Sequence, residues 1–176
     1  CVCTIATGHL TNREEDWVLR PLADSPTARF TVWGKIIGNT NIRKNTRILE
    51  NVIIRGDGEK IEIGEDCLFE KRCTVHVASD LLGTKIGNNC IIEQYAIIHA
   101  CLIGNNVKVG ENSVIMDGST IGDYSIILPD TLIPPGKKFD RFSLISGSPA
   151  KLLESIDVIY YNNVNNLKSI SKKILY

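Results

Sequence analysis

The chain has 176 residues, enough for one domain, and its twenty Lys and Arg balance twenty Asp and Glu. That balance excludes a field built to attract nucleic acid or an anionic membrane. No apolar run approaches the roughly 20 residues that span a bilayer. Aromatics are scarce while Val, Ile and Leu abound, which suits a narrow interior filled by branched aliphatics. The chain begins at Cys1 rather than Met, so a targeting segment upstream is left open.

Residues 1–33 carry no steady period and are expected to form an arm that caps the first coil. Trp17-Val18-Leu19 and Arg29-Phe30-Thr31-Val32-Trp33 are its candidate strands. Cys1-Val2-Cys3 has no second pair at zinc-site spacing and is a weak metal motif.

From 34 to 147 a metre takes over. Large aliphatics recur every six residues at Ile36, Ile42, Ile48 and Ile54, and again at Ile63, Phe69 and Val75 after a short insertion opened by Arg55-Gly56-Asp57-Gly58. Eleven residues then separate Val75 from Ile86, so about five leave the metre as a loop around Ser79 to Gly83. Ile86, Ile92 and Ile98 resume it, one residue is dropped, and Ile103, Val109, Ile115, Ile121, Ile127 and Ile133 complete it. Two places before most of these heads stands a smaller residue: Thr40, Thr46, Val52, Cys67, Cys73, Cys90, Ala96, Cys101, Val107, Ser113, Ser119, Ser125 and Thr131.

A six-residue unit fits one short strand and a sharp corner, and three such units close a triangular coil. The head fills the prism, the small residue lets the chain turn inward, and Asn or Gly after the head suits a corner with positive φ. Each coil leaves open strand edges that the next coil pairs at about 4.8 Å. The predicted fold is therefore an all-β solenoid, a parallel β-helix of hexapeptide repeats. Cysteines in the small slot are expected to be buried free thiols of a reducing compartment. Cys67 and Cys90 stack one coil apart, which keeps a disulfide open.

Pro134-Pro135-Gly136 reads as a stop to regular coils, and Leu144 to Ala150 as a last partial strand and turn. Residues 148–176 are expected to be a helical tail, with Ser148 as cap and Pro149 in the first turn. Its apolar positions are Leu152, Leu153, Ile156, Ile159, Leu167, Ile170 and Ile174, interrupted at Asn162-Asn163-Val164-Asn165-Asn166. Lys168, Lys172 and Lys173 take the wet side of a helix that packs along the prism or reaches a neighbour.

Counting units by threes puts Ile54, Val75, Ile98 and Ile115 on one face. The outward residues after them, Arg55, His76, His99 and Met116, then stack one above another. Adjacent rungs lie about 5 Å apart, so His76 and His99 can reach one metal ion. They can equally be two surface histidines, or donors at a subunit interface.

Several runs resemble the γ-class carbonic anhydrase family: Ile54-Arg55-Gly56-Asp57, Thr74-Val75-His76-Val77, Ala96-Ile97-Ile98-His99-Ala100, Ile133-Pro134-Pro135-Gly136 and Gly147-Ser148-Pro149-Ala150-Lys151. The resemblance spans residues 34 to 155 and implies a single-stranded left-handed parallel β-helix with a C-terminal α-helix, in trimers that hold zinc between subunits. It puts the two ligands from one chain at His76 and His99 and the third at Gln94, whose carboxamide is a poor zinc ligand. The polar residue beside the metal corresponds to Glu70, with Arg55 and Asp57 completing a catalytic set if the chain is an enzyme. No cofactor is expected with the site so degraded, though zinc stays possible.

Ile53-Ile54-Arg55-Gly56-Asp57, Ile91-Ile92-Glu93-Gln94, Val107-Lys108-Val109-Gly110 and Leu128-Pro129-Asp130 resemble more closely the pointed-end subunits of dynactin. That resemblance implies a non-catalytic cytoplasmic adaptor on the cytoskeleton. Its partners would be related β-helix subunits and actin-related proteins, in place of a homotrimer. The acidic Glu93 favours this branch, while His76 and His99 keep the enzyme pattern. Other readings are a residual zinc hydratase, a hexapeptide acyltransferase with His76 or His99 as general base, and a mitochondrial assembly subunit of a respiratory complex. Arg55 and Asp57 read best as a charge-assisted pair across an interface between prisms.

Overall fold

The computed structural model describes residues 29–30, 34–77, 82–157 and 159–162. The first described strands are β1 (Arg29–Phe30), β2 (Lys35–Ile42), β3 (Arg47–Ile48), β4 (Ile53–Ile63), β5 (Leu68–Phe69) and β6 (Thr74–His76). It continues through β7 (Thr84–Ile86), β8 (Ile91–Ile92), β9 (Ile97–His99), β10 (Leu102–Ile103), β11 (Lys108–Val109) and β12 (Val114–Ile115). The last elements are β13 (Thr120–Ile121), β14 (Ile126–Ile127), β15 (Leu132–Ile133), β16 (Lys138–Phe139), β17 (Ser143–Gly147) and β18 (Ala150–Ser155).

Every pairing but the last is parallel and joins each coil to the next, as a left-handed β-helix requires. One face is the ladder β1-β3-β5-β8-β11-β14-β17, and β18 folds back antiparallel on its end. The second runs from the first half of β4 through β6, β9, β12 and β15; the third runs from its second half through β7, β10, β13 and β16. β2 and β4 are long because each turns a corner without breaking. Their register shifts between Gly38 and Thr40, which absorbs the insertion predicted at Arg55-Gly56-Asp57-Gly58. Ile63 lies opposite Ile86, Val75 opposite Ile98 and Ile98 opposite Ile115, so the heads keep their faces through the irregular count, while residues 79–81 of the expected loop lie outside the described residues.

The heads Ile48, Ile54, Phe69, Ile92, Ile98, Ile115, Ile127 and Ile133 fill the prism and are essentially inaccessible to solvent. The small-slot residues are buried beside them, and their polar atoms have work to do. Thr46 Oγ1 donates to Gly64 O (2.8 Å), Cys67 Sγ to Gly87 O (3.1 Å), Cys90 Sγ to Gly104 O (3.1 Å) and Ser113 Oγ to Leu128 O (3.0 Å). Hydroxyl and thiol thus tie one coil to the next, satisfying carbonyls that the prism interior would otherwise strand. Cys67, Cys73, Cys90 and Cys101 are free thiols. Burial pushes Cys73 and Cys101 up to about 12. The hydrogen bond between Cys67 and Cys90 lowers the first thiol and raises the second.

Four expectations are corrected. Positive φ falls three places after the head, at Asn45, Asn51, Asn89, Asn106, Asn112 and their equivalents, with Gly118 and Gly136 among them. The glycine directly after the head answers a different need, because a Cβ on Gly104 would stand 2.8 Å from the backbone nitrogen of Asp123 in the next coil. Pro134-Pro135-Gly136 is no stop: Gly136 supplies one more left-handed corner, and the metre goes on through Phe139 and Ile145.

Residues 150–155 are strand rather than helix, since β17 offers them an open edge that local helical spacing does not account for. Ser148 lies in the hairpin turn rather than capping a helix. The helical residues 159–162 follow Asp157, whose Oδ1 accepts from Tyr160 N at 2.7 Å. Tyr161 folds onto the first face with Ile126, Leu144 and Ile156. The candidate strand Trp17-Val18-Leu19, the pair Cys1 and Cys3, and the apolar positions Leu167, Ile170 and Ile174 lie outside the described residues.

A candidate functional site: the histidine ladder

The second face places Arg55 of β4, His76 of β6 and His99 of β9 in register on neighbouring rungs, with Met116 just beyond β12. Because the heads Ile54, Val75 and Ile98 point inward, strand alternation turns the next residues out. His76 Nδ1 and His99 Nε2 are joined by a hydrogen bond of 2.8 Å, and the tilted rings lie 4.9 Å apart between centroids. Both ends of the pair meet carboxylates. His99 Nδ1 is bonded to Asp117 Oδ1, and Asp57 Oδ1 stands 3.8 Å from His76 Nε2. Asp57 Oδ2 in turn takes Arg55 Nε at 2.7 Å and its terminal nitrogen at 2.6 Å.

Donor and acceptor roles follow from this chain of contacts. The Asp117 carboxylate accepts, so His99 Nδ1 carries a proton and a neutral His99 must accept at Nε2. His76 then donates through Nδ1, leaving Nε2 as its lone-pair nitrogen toward Asp57. Burial is the main influence holding the His76 pKa below the ordinary value. The His99 ring and Arg55 act in the same direction, while Asp57 and Asp117 oppose them.

Two imidazoles sharing a tetrahedral zinc keep their ligating nitrogens about 3.3 Å apart, with both lone pairs aimed at the ion. Here His76 Nδ1 and His99 Nε2 share a proton instead, and Asp117 takes the other His99 nitrogen. As they stand the two rings offer no common coordination point, and no hydration step is derived through a metal.

The other candidate residues sit elsewhere in the chain. Gln94 lies at the corner after β8 and donates Nε2 to Glu111 Oε1 at 2.9 Å. Glu70 follows Phe69 of β5 on the first face, in a different sheet from the histidines. Arg55 and Asp57 form a charge-assisted pair within the chain. Asp117 escaped the sequence count because it belongs to the corner after Ile115. Its signal is that it directly follows Met116, the residue stacked on His99 in the next coil. Glu93 and Lys108 form a buried ion pair of 3.1 Å on the outer side of the first face, with Glu93 Oε2 also accepting from Glu111 N at 3.2 Å. Beside the histidine ladder runs a second outward column, Ile53, Thr74, Ile97, Val114 and Leu132. Ile53 and Ile97 are 39% and 42% exposed.

The fold and its slots define a hexapeptide-repeat left-handed β-helix protein. A family model described as dynactin subunit 5 matches residues 27–175. The chain belongs to the dynactin subunit 5 family. Among solved structures it is similar to a hexapeptide transferase family protein from Anaplasma phagocytophilum, 29% identical with a TM-score of 0.67, over 83% of this chain and 92% of that one. It also shares its fold with AntD, an N-acyltransferase from Bacillus cereus solved with dTDP and 3-hydroxybutyryl-CoA; identity is 13%, TM-score 0.63, coverage 84% and 90%. No curated protein matches.

Proposed function

We propose that the chain is a non-catalytic β-helix scaffold subunit of a dynactin-type assembly. It joins related β-helix subunits and actin-related proteins in the cytoplasm, on the cytoskeleton. The observation that carries this reading is the family match over residues 27–175. The site geometry supports it, because the histidine nitrogens that an enzyme would turn toward substrate or metal are spent on a ladder of hydrogen bonds. The half-exposed column of Ile53 and Ile97 beside that ladder is the kind of surface a partner covers.

The test is reconstitution with purified actin-related proteins and related β-helix subunits. Stoichiometric co-elution, lost with Ile97→Glu, is the expected result. One zinc per chain together with CO2 hydration abolished by His99→Ala would replace the scaffold with an anhydrase. Mitochondrial import in cells would favour the respiratory-complex reading.

Acyl transfer is the second reading, favoured by the transferase-family structural neighbour. A carboxylate-oriented imidazole is what a general base needs, and His99 has one in Asp117. Calorimetry with acetyl-CoA decides it: saturable binding supports a transferase, and absence of heat leaves the scaffold.

A further inference from the structure

β18 ends its sheet, and among the described residues no strand pairs its far edge. From Lys151 to Ser155 every side chain is exposed, with Leu152 at 51% and Leu153 at 57%. An edge strand carrying two leucines into water is a surface that sheets ordinarily blunt or pair. The register with β17 shifts here, so that Leu153 is the extra residue of a bulge between Leu152, opposite Ile145, and Glu154, opposite Leu144.

The segment Ala150-Lys151-Leu152-Leu153-Glu154-Ser155 is complementary to itself when reversed. Aligned antiparallel about a two-fold axis between Leu152 and Leu153, each leucine meets the other's counterpart. Lys151 faces Glu154 twice, and small Ala150 faces small Ser155 twice. Opposite charges and apolar pairs directly across an antiparallel ladder are the favourable arrangement, and an isologous contact needs this self-complementarity. A one-residue slip either way would set Leu opposite Lys or Glu and forfeit both ion pairs.

We propose that β18 is a dimerisation edge, on which a second copy of this chain adds its own β18 antiparallel and continues the sheet across a two-fold axis. This stands apart from the scaffold reading, since it uses the end of the first face, whereas the Ile53 and Ile97 column and the histidines lie on the second.

Sedimentation equilibrium of the full chain tests it with a charge-reversal series. Wild type is expected to dimerise. Glu154→Lys sets Lys against Lys at two places and should weaken the dimer at least tenfold, and the double reversal Lys151→Glu with Glu154→Lys should restore it. Leu153→Lys should give a monomer with an unchanged unfolding transition. A monomeric wild type, a dimer indifferent to Glu154→Lys, or a double reversal that fails to restore association would each overturn the proposal.

Discussion

Two faces of the prism obey one repeat and end differently. On the first, the outward residues Ile126 and Leu144 are buried to 3% and 8%, because Tyr161 and Ile156 of the chain's own C-terminal stretch lie over them. On the second, Ile53 and Ile97 hold the corresponding outward positions, one place before an inward head, and stay about two-fifths exposed. Hexapeptide spacing alone cannot separate these cases. An outward isoleucine is a cover site or a contact site depending on what the rest of the chain brings to it.

The largest effect that would sharpen the comparison comes from truncating equivalent residues on the two faces. Ile126→Ala removes a side chain packed under the tail and should cost roughly 2–5 kcal/mol in denaturant unfolding. Ile97→Ala removes a half-exposed one and should stay within about 0.5 kcal/mol. Equal losses would mean that the two columns are buried alike in the folded chain.

A smaller effect tests the spacing that both faces share. A methyl group at Gly104 would meet the Asp123 backbone nitrogen at 2.8 Å, and Asp123 Oδ1 is already engaged by Asn105 N at 2.7 Å. Neither can yield without opening the coil, so Gly104→Ala should cost about 1–3 kcal/mol, in the range for overpacking. The nearby Gly136→Ala separates close approach from backbone conformation. It has open space around it but a φ of 69°, so its smaller loss would report the left-handed corner alone. A neutral Gly104→Ala would show that the coils can spread at that corner.

Much of this architecture could be read before any coordinates. Ile54, Val75, Ile98 and Ile115 do share a face, since a period of six and a triangular coil leave no freedom in which heads stack. His76 over His99 follows from the same count. What escaped was set by approach between coils rather than by spacing along them. The glycine after Ile86, Ile103, Val109 and Ile121 is demanded by the next coil's backbone, which a one-dimensional reading mistakes for a need for positive φ.

Leu152, Leu153 and Ile156 have helical spacing, yet the open edge of β17 takes the first two as strand. Tertiary pairing there outweighs local pattern. Asp117 was missed for a related reason: it sits in a corner, where the alternation that locates outward residues lapses. The Arg55 and Asp57 pair was legible as chemistry, and within the chain the two side chains already reach each other along one strand.

The smallest expected effect concerns the histidines, which the covered face has no counterpart to. Burial and the adjoining His99 ring hold the His76 pKa below its ordinary value, whereas the unfolded chain titrates near 6.5. As pH falls through about 6.5 the unfolded state therefore takes up the proton first, and stability is lost toward acid; above that pH the contribution is fully present. His76→Gln can still donate an amide hydrogen to His99 Nε2 but no longer titrates. Subtracting its stability curve from that of wild type between pH 7.5 and 5 should leave a downward slope toward acid that belongs to His76. A flat difference would mean that His76 takes a proton as easily folded as unfolded, with Asp57 cancelling the cost of burial. A slope of opposite sign would mean that Asp57 outweighs burial, making the ladder a site that welcomes charge.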